Sequence, residues 1–177
     1  MLIGLISDTH IDDRVNELPQ AVKTAFKDVE LILHTGDITK MEVVEKLEKI
    51  APVKAVQGNI DRSLGLDLPK NEKITVDGIK IGLNHGEVYP RGNTQQLEYI
   101  ARELEVDVLV TGHAHKPFIE ETNGIIIVSP GSPTVPILSN PTVMLMTVEK
   151  GKVDFELYKI GESTCKALNL DLRKKKG

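Results

Sequence analysis

Asp8 and His10 stand two residues apart at the end of an apolar run, LIGLISDTH. Side chains at that spacing leave a strand on the same side. A carboxylate oxygen beside an imidazole nitrogen is a donor pair for a divalent cation. D-x-H alone is a short and common string, and what gives it weight is repetition. Apolar run followed by polar cluster recurs at LILHTGD, ending in Asp37, and at VKAVQGNID, with Asn59 and Asp61. It recurs again at IKIGLNHGE, around His85, and at VDVLVTGHAH, with His113 and His115. Of the five histidines, four (His10, His85, His113, His115) fall in these clusters, where scattered core or surface histidines would not all land. The fifth, His34, ends an apolar run just before Gly36-Asp37 and reads as a structural histidine.

Asp8, His10, Asp37, Asn59, His85, His113 and His115 together form a nitrogen and oxygen set that suits Mn, Fe, Co, Ni or Zn better than Ca or Mg. Seven donors exceed what one catalytic ion with an open position takes. They suit two ions about 3.5–4 Å apart that share a carboxylate.

Strands and helices must bring these residues together. Residues 11–28 carry Leu18, Val22, Ala25 and Phe26 at helical spacing, which predicts a helix with Pro19 in its first turn. LILH is a second strand, and Met41, Val44, Leu47 and Ile50 mark a second helix ended by Pro52. A third strand follows, giving a βαβαβ start. Right-handed crossovers then place the ends of all three strands on one edge of a parallel sheet, where Asp8, His10, Asp37, Asn59 and Asp61 converge. From Leu64 the pattern becomes hairpins turning at Asp77-Gly78, Asn123-Gly124 and Lys150-Gly151, with a helix over residues 95–104 and a buried strand at VDVLVTG. Two sheets packed face to face, with helices outside, fit this mixture.

The 177 residues, 40% of them hydrophobic, suffice for one domain with a real core. The expected domain spans residues 1–165, and residues 166–177, ending in LRKKKG, read as a solvated basic tail. A formal net charge of -4 argues against general nucleic-acid binding. The single cysteine, Cys165, permits no internal disulfide and no thiolate zinc site. No apolar run approaches the roughly 20 residues a membrane helix needs, and Met1 leads straight into a strand. The expectation is a cytoplasmic protein without a membrane partner.

The motifs D-x-H at Asp8-Thr9-His10, G-D at Gly36-Asp37, G-N-x-D at Gly58-Asn59-Ile60-Asp61, H-G at His85-Gly86 and G-H-x-H at Gly112-His113-Ala114-His115 carry a resemblance. The chain is similar to the calcineurin-like metallophosphoesterases, of the small branch that includes bacterial and archaeal phosphodiesterases. The resemblance implies a four-layer αββα sandwich. It also implies that Asp8, His10 and His115 hold one metal, that Asn59, His85 and His113 hold the other, and that Asp37 bridges them.

The expected activity is hydrolysis of a phosphoester, most naturally a diester, by a hydroxide lying between two divalent ions, manganese being favoured over Ni, Fe, Zn or Co. Asn59 and His85 are expected to act on the phosphoryl group, Asp61 to orient a ligand or the nucleophile, and Arg91, in YPRGN, to clamp phosphate. The substrate is expected to be a small phosphoester or nucleotide-type molecule, and a homo-oligomer is compatible with the sequence.

Three departures from the family pattern stand out. Ile60 occupies a place where many members carry a histidine able to protonate a leaving oxygen, which favours diesters and good leaving groups. Glu87 stands where H-G-H is common, and Ala114 where Thr is usual. Ser129 and Ser132 resemble a family loop near the site without being nucleophiles. The alternative is a non-catalytic protein-binding scaffold, because the same branch resembles the retromer vacuolar sorting subunit, whose metal site is degraded. All seven ligand positions here keep metal-competent residues, which favours the enzyme.

Overall fold

The computed structural model describes residues 1–161. The basic tail, Cys165 and the expected domain end at residue 165 lie outside the described residues. Two five-stranded sheets form the middle of the molecule. In the first, β1 (Leu2–Ile6), β2 (Leu31–His34) and β3 (Val53–Ala55) run parallel, and β9 (Thr142–Glu149) and β10 (Lys152–Lys159) complete the order β10-β9-β1-β2-β3. In the second, β4 (Asn71–Val76), β5 (Ile79–Asn84), β6 (Val108–Val110), β7 (Pro117–Thr122) and β8 (Ile125–Pro130) take the order β4-β5-β6-β8-β7, with β5, β6 and β8 parallel.

Strand alternation explains the layering. Ile3 and Leu5 of β1, Leu33 of β2 and Met144, Met146 and Val148 of β9 face inward and meet Leu83, Val108, Val110 and Val128 of the second sheet. The intervening residues face outward. Ile6, Ile32 and Val143 pack against α1 (Gln20–Ala25) and α2 (Met41–Glu48), while Leu109 and Ile127 pack beneath α4 (Thr94–Leu104). Helix, sheet, sheet, helix is the expected four-layer architecture. Gly4 is the point of closest approach: the Phe26 ring lies where a Cβ would stand, 2.9 Å from Cε1. Burying that ring completely contributes on the order of 1.5–3 kcal/mol.

Two expectations need correction. The helix within residues 11–28 shrinks to α1, because Pro19 adopts φ −55° and ψ 135° and disfavours helical geometry in Leu18 before it. Residues ahead of it form a tight loop in which Arg14 N–H donates to the His10 carbonyl (3.0 Å) and Ile11 bridges Val15. The third strand stops at Ala55, and a six-residue helix absent from the sequence reading, α3 (Asn59–Leu64), takes up the G-N-x-D motif. A helix of that length shows too little of its period to be read from sequence. The three hairpin turns fall where expected. Among the described residues no helix is long and apolar enough to cross a membrane.

Candidate metal centre and active site

Parallel strands deliver their carboxyl ends to one rim, and there the two sheets bring their polar clusters together. Asp8 and His10 follow β1, Asp37 follows β2, His85 follows β5, and His113 and His115 follow β6. Asp8, His10, Asp37, His113 and His115 all have positive φ, between 45° and 63°. Left-handed backbone costs of order 1–3 kcal/mol at a non-glycine residue and persists only where surrounding bonds enforce it. Those bonds are present. The Ser132 hydroxyl donates to the Asp8 carbonyl (2.7 Å), the Thr134 hydroxyl donates to the Thr9 carbonyl (2.7 Å), and Asp8 and His10 N–H groups donate to the Gly36 and Asp37 carbonyls (both 3.0 Å).

One donor atom from each of Asp8, His10, Asp37 and His115 lies within 4.8 Å of the others, and all four residues are buried. His115 Nε2 is 3.2 Å from Asp8 Oδ1. Asp37 Oδ2 lies between two rings, 3.5 Å from His10 Nε2 and 3.4 Å from His85 Nε2, while its Oδ1 accepts from Ile60 N–H (2.9 Å). His113 stacks edge-on against His85, with ring centroids 5.2 Å apart, and its backbone N–H donates to the Asp8 carboxylate. Asn59 opens α3 beside Asp37, and its side-chain oxygen is buried without a hydrogen-bond partner.

The imidazoles share one orientation. Nδ1 of His85 meets the Thr35 carbonyl (2.7 Å) and Nδ1 of His115 the Val135 carbonyl (2.8 Å), while His10 Nδ1 meets Asp13 Oδ2 (3.0 Å). A carbonyl only accepts, so Nδ1 carries the hydrogen in His85 and His115, and in the neutral ring the Nε2 lone pair faces the centre, the form a metal ligand needs. His10 Nε2 and His85 Nε2 are buried with no hydrogen-bond partner. Buried polar atoms are rarely left so. Two such nitrogens within 3.5 Å of one carboxylate oxygen are donors suited to a divalent cation.

Electrostatics points the same way. Burial works to raise the Asp8 pKa, yet the hydrogen bond with His115 and the nearby His85 and His115 hold it at about 2. Burial works to lower that of His85, yet Asp37 and Asp8 push it up to about 9. Asp37 is likewise held below the usual carboxylate range, burial being outweighed by His85. Two ionised buried carboxylates draw positive charge to the centre, and protons compete there with cations.

The other expected site residues divide. Asp61 is fully buried, and its oxygens accept from Thr39 N–H (2.7 Å) and Gly58 N–H (2.9 Å). It therefore ties the loop after Asp37 to the turn before Asn59, and where it was expected to orient a ligand or the nucleophile it supports two ligand-bearing segments through their backbone. Arg91 is exposed, and its charge reaches His113 and His115. His34 is structural, as read: Nδ1 accepts from Gly36 N–H (3.2 Å), Nε2 lies 3.2 Å from the Thr9 hydroxyl, and burial pushes its pKa down to about 4. Ser132 holds the Asp8 backbone, which fits its reading as no nucleophile. Sequence reasoning missed Asp13, Thr134 and the Thr35 and Val135 carbonyls. Only the D-x-H-x-x-D spacing from His10 to Asp13 hinted at any of them, because main-chain acceptors carry no residue signature.

Comparison with known proteins agrees with this architecture. The calcineurin-like phosphoesterase superfamily domain matches residues 1–151, and the chain belongs to that superfamily. It is 51% identical over 169 residues to a probable metallophosphoesterase of Methanothermobacter thermautotrophicus, covering 96% of this chain and 98% of that one. It is 46% identical over 163 residues to a probable metallophosphoesterase of Methanocaldococcus jannaschii, covering 92% and 83%. Among solved structures, the zinc complex of wild-type Vps29 from Entamoeba histolytica superposes with a TM-score of 0.75 at 30% identity, covering 91% of this chain and 100% of that one. The family and these relatives support a phosphoester hydrolase.

Proposed function

We propose that the protein is a phosphodiesterase that works with two divalent metal ions. Asp8, His10 and His115 would hold one, Asn59, His85 and His113 the other, and Asp37 would serve both. The carrying observation is Asp37 Oδ2, a buried oxygen flanked at 3.4 and 3.5 Å by two imidazole nitrogens that lack hydrogen-bond partners. When bound, such ions neutralise phosphoryl charge and make a nearby water more acidic.

The chain's own residues supply position. The Thr35 and Val135 carbonyls hold the His85 and His115 rings in register, and Ser132 and Thr134 pin the Asp8 turn. Asn59 offers amide hydrogens to a phosphoryl oxygen, and Arg91 offers a guanidinium at the mouth. Ile60 has no proton to give, so an ester whose leaving group needs protonation gains nothing from it, and this favours diesters with stable leaving groups.

The test is a metal titration of metal-stripped protein, assayed with bis-p-nitrophenyl phosphate and with p-nitrophenyl phosphate. The expected result is hydrolysis that rises until two ions are bound per chain, manganese most effective, with the diester preferred. Saturation at one ion, with no gain on further addition, would reject the two-metal reading, and a monoester preference would reject the diesterase. The similarity to Vps29 favours a second reading, a protein-binding scaffold on the same fold, and metal-loaded protein inert toward every ester would support it.

A further inference from the structure

A cavity of about 430 Å³ opens beside His85 and runs between the edge strand β4 and helix α4. A phosphoryl group held by Asp37 and its neighbours does not need this space, which lies within the roughly 300–1,000 Å³ range of small-ligand sites. Its walls are of two kinds. Ile100 and Leu104 of α4 form an apolar face. The rest of the lining is polar: the Gln57 amide, the Lys70 ammonium, the Glu103 carboxylate of the same helix, and Asn71, whose oxygen accepts from Asn84 (2.5 Å).

At the end near His85 the wall is an ion pair. The two terminal guanidinium nitrogens of Arg62 donate to the two oxygens of Glu87, at 2.9 and 2.7 Å. The pair lines the cavity next to His85, and each partner's charge is stabilised chiefly by the other. The bidentate pair is mutually satisfied, so this end of the cavity presents a flat, nearly neutral surface. A second phosphate at this end would find the Arg62 guanidinium already engaged.

Building on the phosphodiesterase reading, we propose that this cavity receives one organic arm of the diester, that the arm is of nucleoside type, and that the Arg62–Glu87 pair forms the specificity wall between that arm and the phosphoryl group. A nucleoside matches the lining: a flat base has apolar faces for Ile100 and Leu104, and its ring edge and sugar hydroxyls offer donors and acceptors to Gln57, Lys70 and Asn71. Glu87, which departs from the common H-G-H pattern, thereby gains a partner in Arg62 of α3.

The test compares thymidine 5′-(p-nitrophenyl phosphate) with methyl p-nitrophenyl phosphate, so that only the second arm changes. In the metal-loaded wild type, kcat/KM for the nucleoside diester should exceed that for the methyl diester by about tenfold or more, mostly through KM. Ile100→Trp, which fills the cavity, should reduce this ratio about tenfold, and the double substitution Arg62→Ala with Glu87→Ala should reduce it without leaving a lone charge. Tyr99→Ala, on the exposed face of the same helix, should keep the ratio. A ratio taken within one preparation is insensitive to the folded fraction. Calorimetry of thymidine 5′-monophosphate against methyl phosphate reads the same discrimination without turnover, so it decides the cavity's role even if no ester is hydrolysed. Equal binding of the two monophosphates, or a preference that Ile100→Trp and the double variant leave intact, overturns the proposal.

Discussion

The two ends of the sheets use the same unusual backbone for opposite purposes. At the end away from the site, the chain reverses at Asp77-Gly78, Asn123-Gly124 and Lys150-Gly151, with positive φ at both positions of each turn. A Cβ placed on Gly78, Gly124 or Gly151 would meet nothing within 4 Å. Glycine serves there for conformation alone, as a two-residue hairpin turn requires. At the site end, left-handed backbone falls on aspartates and histidines as well as on Gly36 and Gly86, and the glycines there are crowded besides. Gly58 has φ −95°, which any residue adopts, yet a Cβ there would overlap the Asp37 carboxylate and its backbone nitrogen. A Cβ on Gly112 would overlap the Ser7 hydroxyl and lie 2.9 Å from Asp8 Oδ2. One end is built for turning, and the other for holding ligands close.

Substitutions at the two ends should differ in kind and in size. The largest effect is expected from Asp37→Ala, which removes the oxygen facing both His10 and His85. Its loss of metal-dependent activity should exceed that of Asp8→Ala, with bound metal per chain falling in parallel. Equal losses in kinetics and metal analysis would take Asp37 out of the bridging place. Next comes Gly58→Ala, where the new methyl can fit only by moving Asp37. A displacement of about 1 Å can cost about 10²-fold, so kcat should fall to that extent while circular dichroism still shows a folded protein. Unchanged kcat would mean that the crowding does not matter.

Ser132→Ala should be milder. It removes the 2.7 Å bond to the Asp8 carbonyl and the acceptor for Val135 N–H (2.9 Å), and supports of this kind are typically worth 10–100-fold in metal affinity or activity. Metal competition assays would read it, and an affinity equal to that of the wild type would sink it. The smallest effect belongs to the far end. Gly78→Ala places a methyl in open space at φ +82°, so it should cost about 1 kcal/mol in thermal or denaturant unfolding and nothing in kcat. A loss of activity there would dissolve the distinction between the two ends.

How much of this was readable in advance follows the same division. The turns were legible because Asp-Gly and Asn-Gly between alternating apolar residues mark a two-residue hairpin locally. Strands such as Leu31–His34 and helix α2 were legible because burial imposes a period on the sequence. Asp8, His10, Asp37, His85, His113 and His115 were legible as a set because parallel strands must release their polar ends at one rim. Asp61 was legible as a supporting residue but not in how it acts. Its carboxylate reads as chemistry in the sequence, while its position at the start of a six-residue helix turns both oxygens onto backbone N–H groups. The end of α1 at Ala25 was likewise hidden, since the apolar spacing runs on through Phe26.

The sequence by itself determined which donors are present, their order along the chain and the strand ends that carry them, because residue type and periodicity are local properties. Tertiary structure alone decided that Asp37 presents one oxygen to both His10 and His85, and that main-chain carbonyls from Thr35 and Val135 choose the ring nitrogen facing inward. It alone decided that Arg62 closes on Glu87. Each of these depends on distances between segments far apart in sequence, set by how two twisted sheets pack, and no local pattern encodes such a distance.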